Sequence, residues 1–146
     1  MEKYNQMNLK SKVFVMASML AILSIGVIPA EISAQTNEVT ITPINEEISL
    51  KKTVTTMNVP EDNKFSWGFV KGGPSEYVER YPVIIQFYSG DDPVHFAQVD
   101  VKGDGSYEYK FRVRNLDSNT GEVVNIFQGD YTVKIFRVIH NTNDLI

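Results

Sequence analysis

Apolar and polar residues alternate most regularly in the segment from Ser106 to Arg114. A period of two places successive side chains on opposite faces of a β-strand. The segment therefore predicts a strand with one buried face and one face in contact with water. The buried face carries Tyr107, Tyr109, Phe111 and Val113, and the exposed face carries Glu108, Lys110, Arg112 and Arg114.

Shorter apolar or β-branched segments, separated by turn-forming residues, predict further strands. These strands are Val39–Thr42, Ser49–Asn58, Phe65–Val70, Val83–Tyr88, Val94–Val101, Glu122–Phe127 and Tyr131–Ile139. Residues 44–52 also have features of a helix start, which leaves the beginning of the second strand open. The sequence Gly103-Asp104-Gly105 predicts a hairpin turn. About eight short strands without a confident helix indicate an all-β, antiparallel sandwich or barrel.

The first 34 residues have a pattern of their own. Three lysines precede residue 13, an apolar run extends from Val13 to Ile28, and small residues follow at Ser33 and Ala34. This order is typical of a secretory signal peptide, cleaved after Ala34 or alternatively after Ala30. The apolar run is shorter than the roughly 20 residues of a membrane-spanning helix. We therefore expect a secreted, extracellular protein without stable membrane insertion once the signal peptide is removed.

The remaining residues, 35–146, suit a single domain. The chain contains no cysteine, which excludes disulfides, thiol nucleophiles and cysteine-based metal sites. The whole chain has 14 Lys and Arg residues and 18 Asp and Glu residues, of which three basic and two acidic residues lie in the first 34 positions. The remaining domain therefore has a formal net charge of 11 − 16 = −5 with His neutral. An acidic domain repels nucleic acid and anionic membranes, unless a local basic face overrides this repulsion, and no nucleic-acid partner is expected.

Two C-terminal segments are similar to parts of secreted bacterial immunoglobulin-like domains. Residues 103–111, GDGSYEYKF, resemble a hairpin and strand of such domains, and residues 128–135, QGDYTVKI, resemble their Gly-x-Tyr-x-Val strand. The resemblance covers the C-terminal third of the chain and implies an antiparallel immunoglobulin-like β-sandwich of about 7–8 strands. It also implies that Tyr131 lies at a sheet corner and bonds to the backbone through its hydroxyl. It implies little about activity, because this fold serves many functions.

Residues suited to catalysis or metal binding are scarce. His95 and His140 are the two histidines, and their spacing matches neither a zinc site nor, without a Gly-x-Ser-x-Gly motif, a serine hydrolase. Residues 100–108 resemble a calcium loop, but Lys102 stands at a ligand position, which favours a plain hairpin turn. We therefore predict no catalytic residues, no metal site, no cofactor and no enzymatic activity.

A basic stripe and an aromatic cluster are candidates for binding. The basic stripe consists of Lys110, Arg112 and Arg114, which would contact an anionic wall polymer or, as is more common, pair with carboxylates across strands. The aromatic cluster centres on Trp67, which shares one strand face with Phe65 and Phe69. Core packing is the expected arrangement for these three rings.

Two further aromatic residues, Tyr77 and Tyr81, lie in or near the loop that begins at Lys71. If both are exposed, they form an interaction patch of the kind that binding sites favour. The flexible Gly72-Gly73 pair adds to this hypothesis, because loops often carry function.

These observations favour a secreted, non-enzymatic interaction module that binds a protein or a cell-wall polymer. A small secreted protease inhibitor, with the loop from Lys71 to Arg80 as its inhibitory segment, is an alternative. A small extracellular hydrolase is a second alternative, which a pocket containing His95 and a carboxylate would favour.

Overall fold

The computed structural model of this chain describes residues 37–141, and the predicted signal peptide at residues 1–34 lies outside this range. Within it the chain is all-β, with antiparallel pairing throughout and no helix. A helix long and apolar enough to cross a membrane is accordingly not found in this range. The strands are β1 (Glu38–Pro43), β2 (Ile48–Val59), β3 (Trp67–Gly72), β4 (Val83–Ser89), β5 (Asp92–Val99), β6 (Tyr107–Arg112), β7 (Arg114–Leu116), β8 (Val123–Asn125) and β9 (Gly129–His140).

Five strands form one sheet in the order β1-β2-β9-β4-β5. The long strands β2 and β9 pair along their whole length, from Ile48 opposite His140 to Val59 opposite Gly129. β-Branched residues at positions 53–56 favour this extended conformation, and β2 begins at Ile48 instead of continuing a helix. Two smaller sheets consist of β3 with β6 and of β7 with β8.

The hydrophobic core lies between the five-stranded sheet and the β3–β6 sheet. Phe111 of β6 meets Phe87 of β4 edge to face, with ring centroids 5.0 Å apart. Phe127 contacts both rings, at 5.2 Å and 5.6 Å. This three-ring cluster joins the two sheets, and such edge-to-face pairs each contribute about 0.5–1.5 kcal/mol beyond area burial. Other core residues include Met57, Val59, Val70, Val83, Ile85, Val133 and Ile135.

Two glycines of β3 allow the aromatic rings of β6 to lie against the β3 backbone. Gly68 is the cross-strand partner of Phe111, and Gly72 is the partner of Tyr107. A Cβ atom at Gly68 would come within 2.5 Å of the Phe111 ring, and one at Gly72 within 2.1 Å of the Tyr107 ring. Glycine thus stands at these two inward positions of β3 because the residues opposite them on β6 are large.

The predicted strands are largely confirmed, and so is the buried face of the alternating segment. Tyr107, Phe111 and Val113 are buried and Tyr109 is half-buried. The alternating segment is divided, however, because β6 ends at Arg112 and β7 begins two residues later. The third predicted strand is shifted by two residues, so that Gly72 belongs to β3 and not to a loop.

The hairpin predicted at Gly103-Asp104-Gly105 is wrong in one respect, because the strands on either side of the turn, β5 and β6, do not pair with each other. The turn itself is present, since the Gly105 N–H donates to the Lys102 carbonyl at 2.8 Å and the Lys102 N–H donates to the Ser106 carbonyl at 2.8 Å. However, β5 pairs with β4 and β6 pairs with β3. The turn therefore carries the chain from one sheet to the other, an arrangement that local turn residues do not encode.

A buried arginine holds this turn against the loop that follows β3. Arg137 of β9 is 8% exposed, and its guanidinium donates to the carbonyl oxygens of Gly105 and Ser75 at 2.5 Å and 3.2 Å. Burial lowers the pKa of Arg137. These carbonyl contacts partly offset the cost of removing a charge from water. Arg137 thus ties two connecting segments to the five-stranded sheet.

Candidate binding site on the β3–β6 sheet

The outer face of the β3–β6 sheet combines aromatic and basic side chains. Because Gly68 and Val70 point into the core, Trp67 and Phe69, which alternate with them on β3, point outward. On β6 the outward residues alternate with the buried aromatic rings in the same way. We call the set Trp67, Phe69, Lys110 and Arg112 the aromatic–basic face.

Register places each aromatic ring of this face opposite a cation. Trp67 pairs with Arg112 and Phe69 pairs with Lys110. The Arg112 guanidinium lies 4.1 Å from the centroid of the Trp67 ring, and the Lys110 ammonium lies 4.3 Å from the same centroid. Lys110 is also 5.8 Å from the Phe69 centroid. Cation–π contacts of this kind are worth about 0.5–1 kcal/mol at exposed sites, so they order the face without removing its charge.

The two cations of the face have no acidic partner in residues 37–141. The neighbouring Lys71 does form an ion pair there, with its ammonium 3.0 Å from a carboxylate oxygen of Glu108. The expected pairing of the basic stripe with carboxylates is therefore not found for Lys110 and Arg112, whose cross-strand neighbours are Phe69 and Trp67. This leaves two positive charges that are available to an anionic ligand.

The expectation that Phe65, Trp67 and Phe69 pack in the core is wrong. Trp67 is 39% exposed and Phe65 is 46% exposed, while Phe69 is half-buried beneath the neighbouring basic side chains. Gly68 and Gly72 explain the difference, because rings from β6 already fill the space at these two inward positions of β3. The sequence Trp67-Gly68-Phe69, in which a glycine separates two aromatic residues, was the available signal.

Arg114, the third member of the predicted stripe, has a different role. It lies in β7, and its guanidinium donates to the Lys64 carbonyl at 3.1 Å. The N–H groups of Val113 and Arg114 both point to the Ser66 carbonyl, at 2.9 Å and 3.4 Å. Arg114 therefore fixes the segment that leads into β3, and the structure brings together only Lys110 and Arg112 of the stripe with Trp67.

The structure places Tyr77 and Tyr81 in the loop between β3 and β4, and they differ in environment. Tyr77 is half-buried, and its hydroxyl donates to the Gly103 carbonyl at 3.2 Å. Tyr81 is 47% exposed. The loop is held further by the Ser75 N–H, which donates to the Asp104 carbonyl at 3.3 Å. Tyr77 therefore joins the loop to the 102–106 turn, and Tyr81 is the member of the pair that solvent reaches.

The hairpin of β7 and β8 is an apolar surface that the sequence analysis missed. Its exposed large side chains are Leu116, Val123, Val124 and Ile126. The Asp117 carboxylate accepts hydrogen bonds from the N–H groups of Asn119 and Thr120 at 2.8 Å and 3.2 Å, which orders the connecting turn. The short strands pair with each other and with no further strand of the described range. Val123 and Val124 point to opposite faces of β8 and are both exposed, so both faces of the hairpin are open to solvent.

His95 takes part in packing between the sheets. Its Nε2 atom lies 2.6 Å from the Tyr109 hydroxyl, and its ring packs on Phe87 and Phe127 at centroid distances of 5.4 Å and 5.8 Å. Burial lowers the pKa of His95 and raises the pKa of Tyr109. Over residues 37–141, no group of three or more His, Asp or Glu side chains is placed to hold a metal ion.

Comparisons of this chain with the models of known protein families, with curated proteins and with solved structures found no match. The aromatic–basic face is therefore interpreted from its own geometry.

Proposed function

We propose that this chain is a secreted, non-enzymatic interaction module that binds a cell-wall polymer or a protein through the aromatic–basic face. The observation that carries the proposal is the exposed Trp67 ring with the unpaired cations of Arg112 and Lys110 at 4.1 Å and 4.3 Å from its centroid. Aromatic residues and arginine are the groups that binding surfaces favour. Here they stand on paired strands, which present them with little loss of entropy on binding.

Two further parts of the proposal concern fold type and export. The antiparallel sheets and the Tyr131 hydroxyl, which donates to the Gln128 carbonyl at 3.0 Å, support an immunoglobulin-like β-sandwich. The basic, apolar and small-residue order of residues 1–34 supports export. Mass spectrometry of the protein in the culture medium tests export, and full-length chain confined to the cytosol would contradict it.

Binding is favoured over the hydrolase hypothesis by the surroundings of His95. Its hydrogen-bond partner is the hydroxyl of Tyr109, and its ring neighbours are Phe87 and Phe127. A catalytic histidine that acts as a base is normally oriented by a carboxylate and contacts a nucleophile. Neither contact is made by His95 in the described range.

The test is retention of the purified protein on cell-wall material and on proteins from the culture medium. Trp67→Ala is expected to reduce retention at least about tenfold, a loss of roughly 1.4 kcal/mol of binding free energy. Tyr88→Ala is the matched control, because Tyr88 also carries a cation, the Lys134 ammonium, 4.0 Å from its ring centroid, but belongs to the five-stranded sheet. Equal retention of wild type and Trp67→Ala would overturn the proposal.

A further inference from the structure

We infer that the aromatic–basic face binds an acidic polysaccharide, a sugar chain that bears carboxylate groups. The inference rests on the proposed binding function and names the ligand of the same face. It follows from three properties of the face: its free charge, the position of both free cations beside one exposed ring, and the limited extent of its basic surface.

The free charge selects an anion. Lys110 and Arg112 have no carboxylate within ion-pair distance among the described residues, whereas the adjacent Lys71 is neutralised by Glu108 at 3.0 Å. A guanidinium presents two parallel N–H groups to a carboxylate, and such charge-assisted contacts are about twice as strong as neutral ones. Arg112 is thus suited to hold a carboxylate, and Lys110 supplies a second point charge.

The geometry of the face selects a ligand that joins an anionic group to an apolar ring surface. The Arg112 guanidinium and the Lys110 ammonium lie 4.1 Å and 4.3 Å from the centroid of the exposed Trp67 ring, so one ring and two free cations form a single site. Phe69 differs, because the ion-paired Lys71 lies 5.0 Å from its ring centroid and Lys110 lies 5.8 Å away. A sugar ring has a flat side of C–H groups that packs on the exposed part of an aromatic ring, and its carboxylate then reaches an adjoining cation. The face therefore matches one acidic sugar unit.

The limited basic surface argues against a nucleic acid. Glu108 takes the outward position of β6 that precedes Lys110, so the row of outward cations on β6 consists of Lys110 and Arg112. Affinity for nucleic acid depends on many simultaneous phosphate contacts. The two free cations of the face supply only a few such contacts.

The experiment measures binding of the full chain to polygalacturonate, a carboxylate-bearing polysaccharide, by affinity electrophoresis at low salt. Dextran serves as the uncharged polysaccharide and single-stranded poly(dT) as the nucleic acid. We expect retardation by polygalacturonate, no retardation by dextran, and weaker retardation by poly(dT). Raising the salt concentration from about 50 mM to 500 mM should weaken binding, because exposed charges are then screened.

The variants separate the two components of the face. Lys110→Gln combined with Arg112→Gln, and separately Trp67→Ala, are each expected to weaken binding to polygalacturonate about tenfold or more. Lys134→Gln is the matched control, because its ammonium also lies over a ring, that of Tyr88 at 4.0 Å, on the other sheet. It should change binding less than about twofold. The affected side chains are on the surface, and an unchanged melting temperature verifies folding of each variant.

Each result decides the inference. It is overturned by equal retardation in dextran, by tighter binding to poly(dT), or by unchanged binding in the double variant. If polygalacturonate fails to bind while retention on wall material or medium proteins still depends on Trp67, the ligand class is wrong and the proposed binding function stands. If neither depends on Trp67, both are wrong.

Discussion

The Nε2 atom of His95 lies 2.6 Å from the hydroxyl oxygen of Tyr109, and this hydrogen bond joins the five-stranded sheet to the β3–β6 sheet. The two rings are also stacked, with centroids 5.9 Å apart. Tyr109 is the titratable group in contact with His95, and the other ring neighbours, Phe87 and Phe127, are apolar. Burial therefore favours the neutral imidazole in the folded protein.

This environment makes stability depend on pH. Burial lowers the pKa of His95 from the ordinary value of 6.5, so the unfolded chain binds a proton more readily than the folded chain. Stability is then unaffected by His95 above about pH 6.5 and falls as the pH drops from there towards the lower pKa of the folded state. Because the ring is partly exposed, solvent screens the effect, and we expect the melting temperature to fall by only a few °C between pH 7.5 and 5.5.

The two histidines of the chain allow a matched comparison. His95→Gln should reduce the fall in melting temperature between pH 7.5 and 5.5, whereas His140→Gln should behave as the wild type because His140 is exposed at the end of β9. Thermal unfolding followed by circular dichroism at the two pH values measures the difference. An unchanged pH dependence in His95→Gln would show that another group controls it.

The contact between Gly68 and Phe111 gives a second prediction. Alanine at position 68 would place its Cβ 2.5 Å from the Phe111 ring, and that ring is held by Phe87 and Phe127. Gly68→Ala should therefore destabilise the protein by roughly 1–3 kcal/mol, as overpacking does. Gly73→Ala meets no atom within 4 Å and should be neutral or stabilising by up to about 1 kcal/mol. Urea unfolding measures both free energies.

A double variant tests the cause of the Gly68 effect. In a Phe111→Ala background, which itself should cost about 3–5 kcal/mol, the ring is gone and Gly68→Ala should cost much less. Strict additivity of the two substitutions would contradict the proposed clash, because residues in direct contact are expected to be coupled.

The turn at Gly105 gives a third prediction. Gly105 and Gly90 both have positive φ, at 84° and 60°, so alanine at either position carries the cost of a left-handed backbone, roughly 1–2 kcal/mol. Only at Gly105 does the added Cβ meet the backbone, 1.8 Å from the Ser75 carbonyl oxygen, and also the Arg137 guanidinium at 2.9 Å. Gly105→Ala should thus be less stable than Gly90→Ala by roughly a further 1–3 kcal/mol. Equal unfolding free energies for the two variants would refute this account.

Sequence reasoning was sufficient for features that depend on neighbours along the chain. The alternation from Ser106 to Arg114 gave the buried face of β6 correctly, and the β-branched residues of β2 gave a strand. Sequence reasoning failed where contacts with a distant segment of the chain decide whether a side chain is buried or exposed. Trp67 faces solvent because rings from β6 occupy the inner side of β3. The burial of Arg137 depends on carbonyls from two remote turns. Neither arrangement is visible without knowledge of strand pairing.

The binding hypothesis for the two loop tyrosines gives the last prediction, since the structure separates their roles. The Tyr77 hydroxyl donates to the Gly103 carbonyl at 3.2 Å, so Tyr77→Phe should cost about 0.5–1.5 kcal/mol, the net value of one hydrogen bond. Tyr81 is exposed, and Tyr81→Phe should leave stability within about 0.5 kcal/mol of wild type.

The corresponding alanine variants test whether the loop contributes to ligand binding. Tyr77→Ala is expected to lower the melting temperature, because it removes both the hydrogen bond and the packing of a half-buried ring. Tyr81→Ala should melt as the wild type does, so that any loss of retention on wall material reports on binding and not on folding. If retention is lost in Tyr81→Ala, the loop belongs to the binding surface together with Trp67. If retention is unchanged in Tyr81→Ala while Trp67→Ala abolishes it, the binding surface is confined to the β3–β6 sheet.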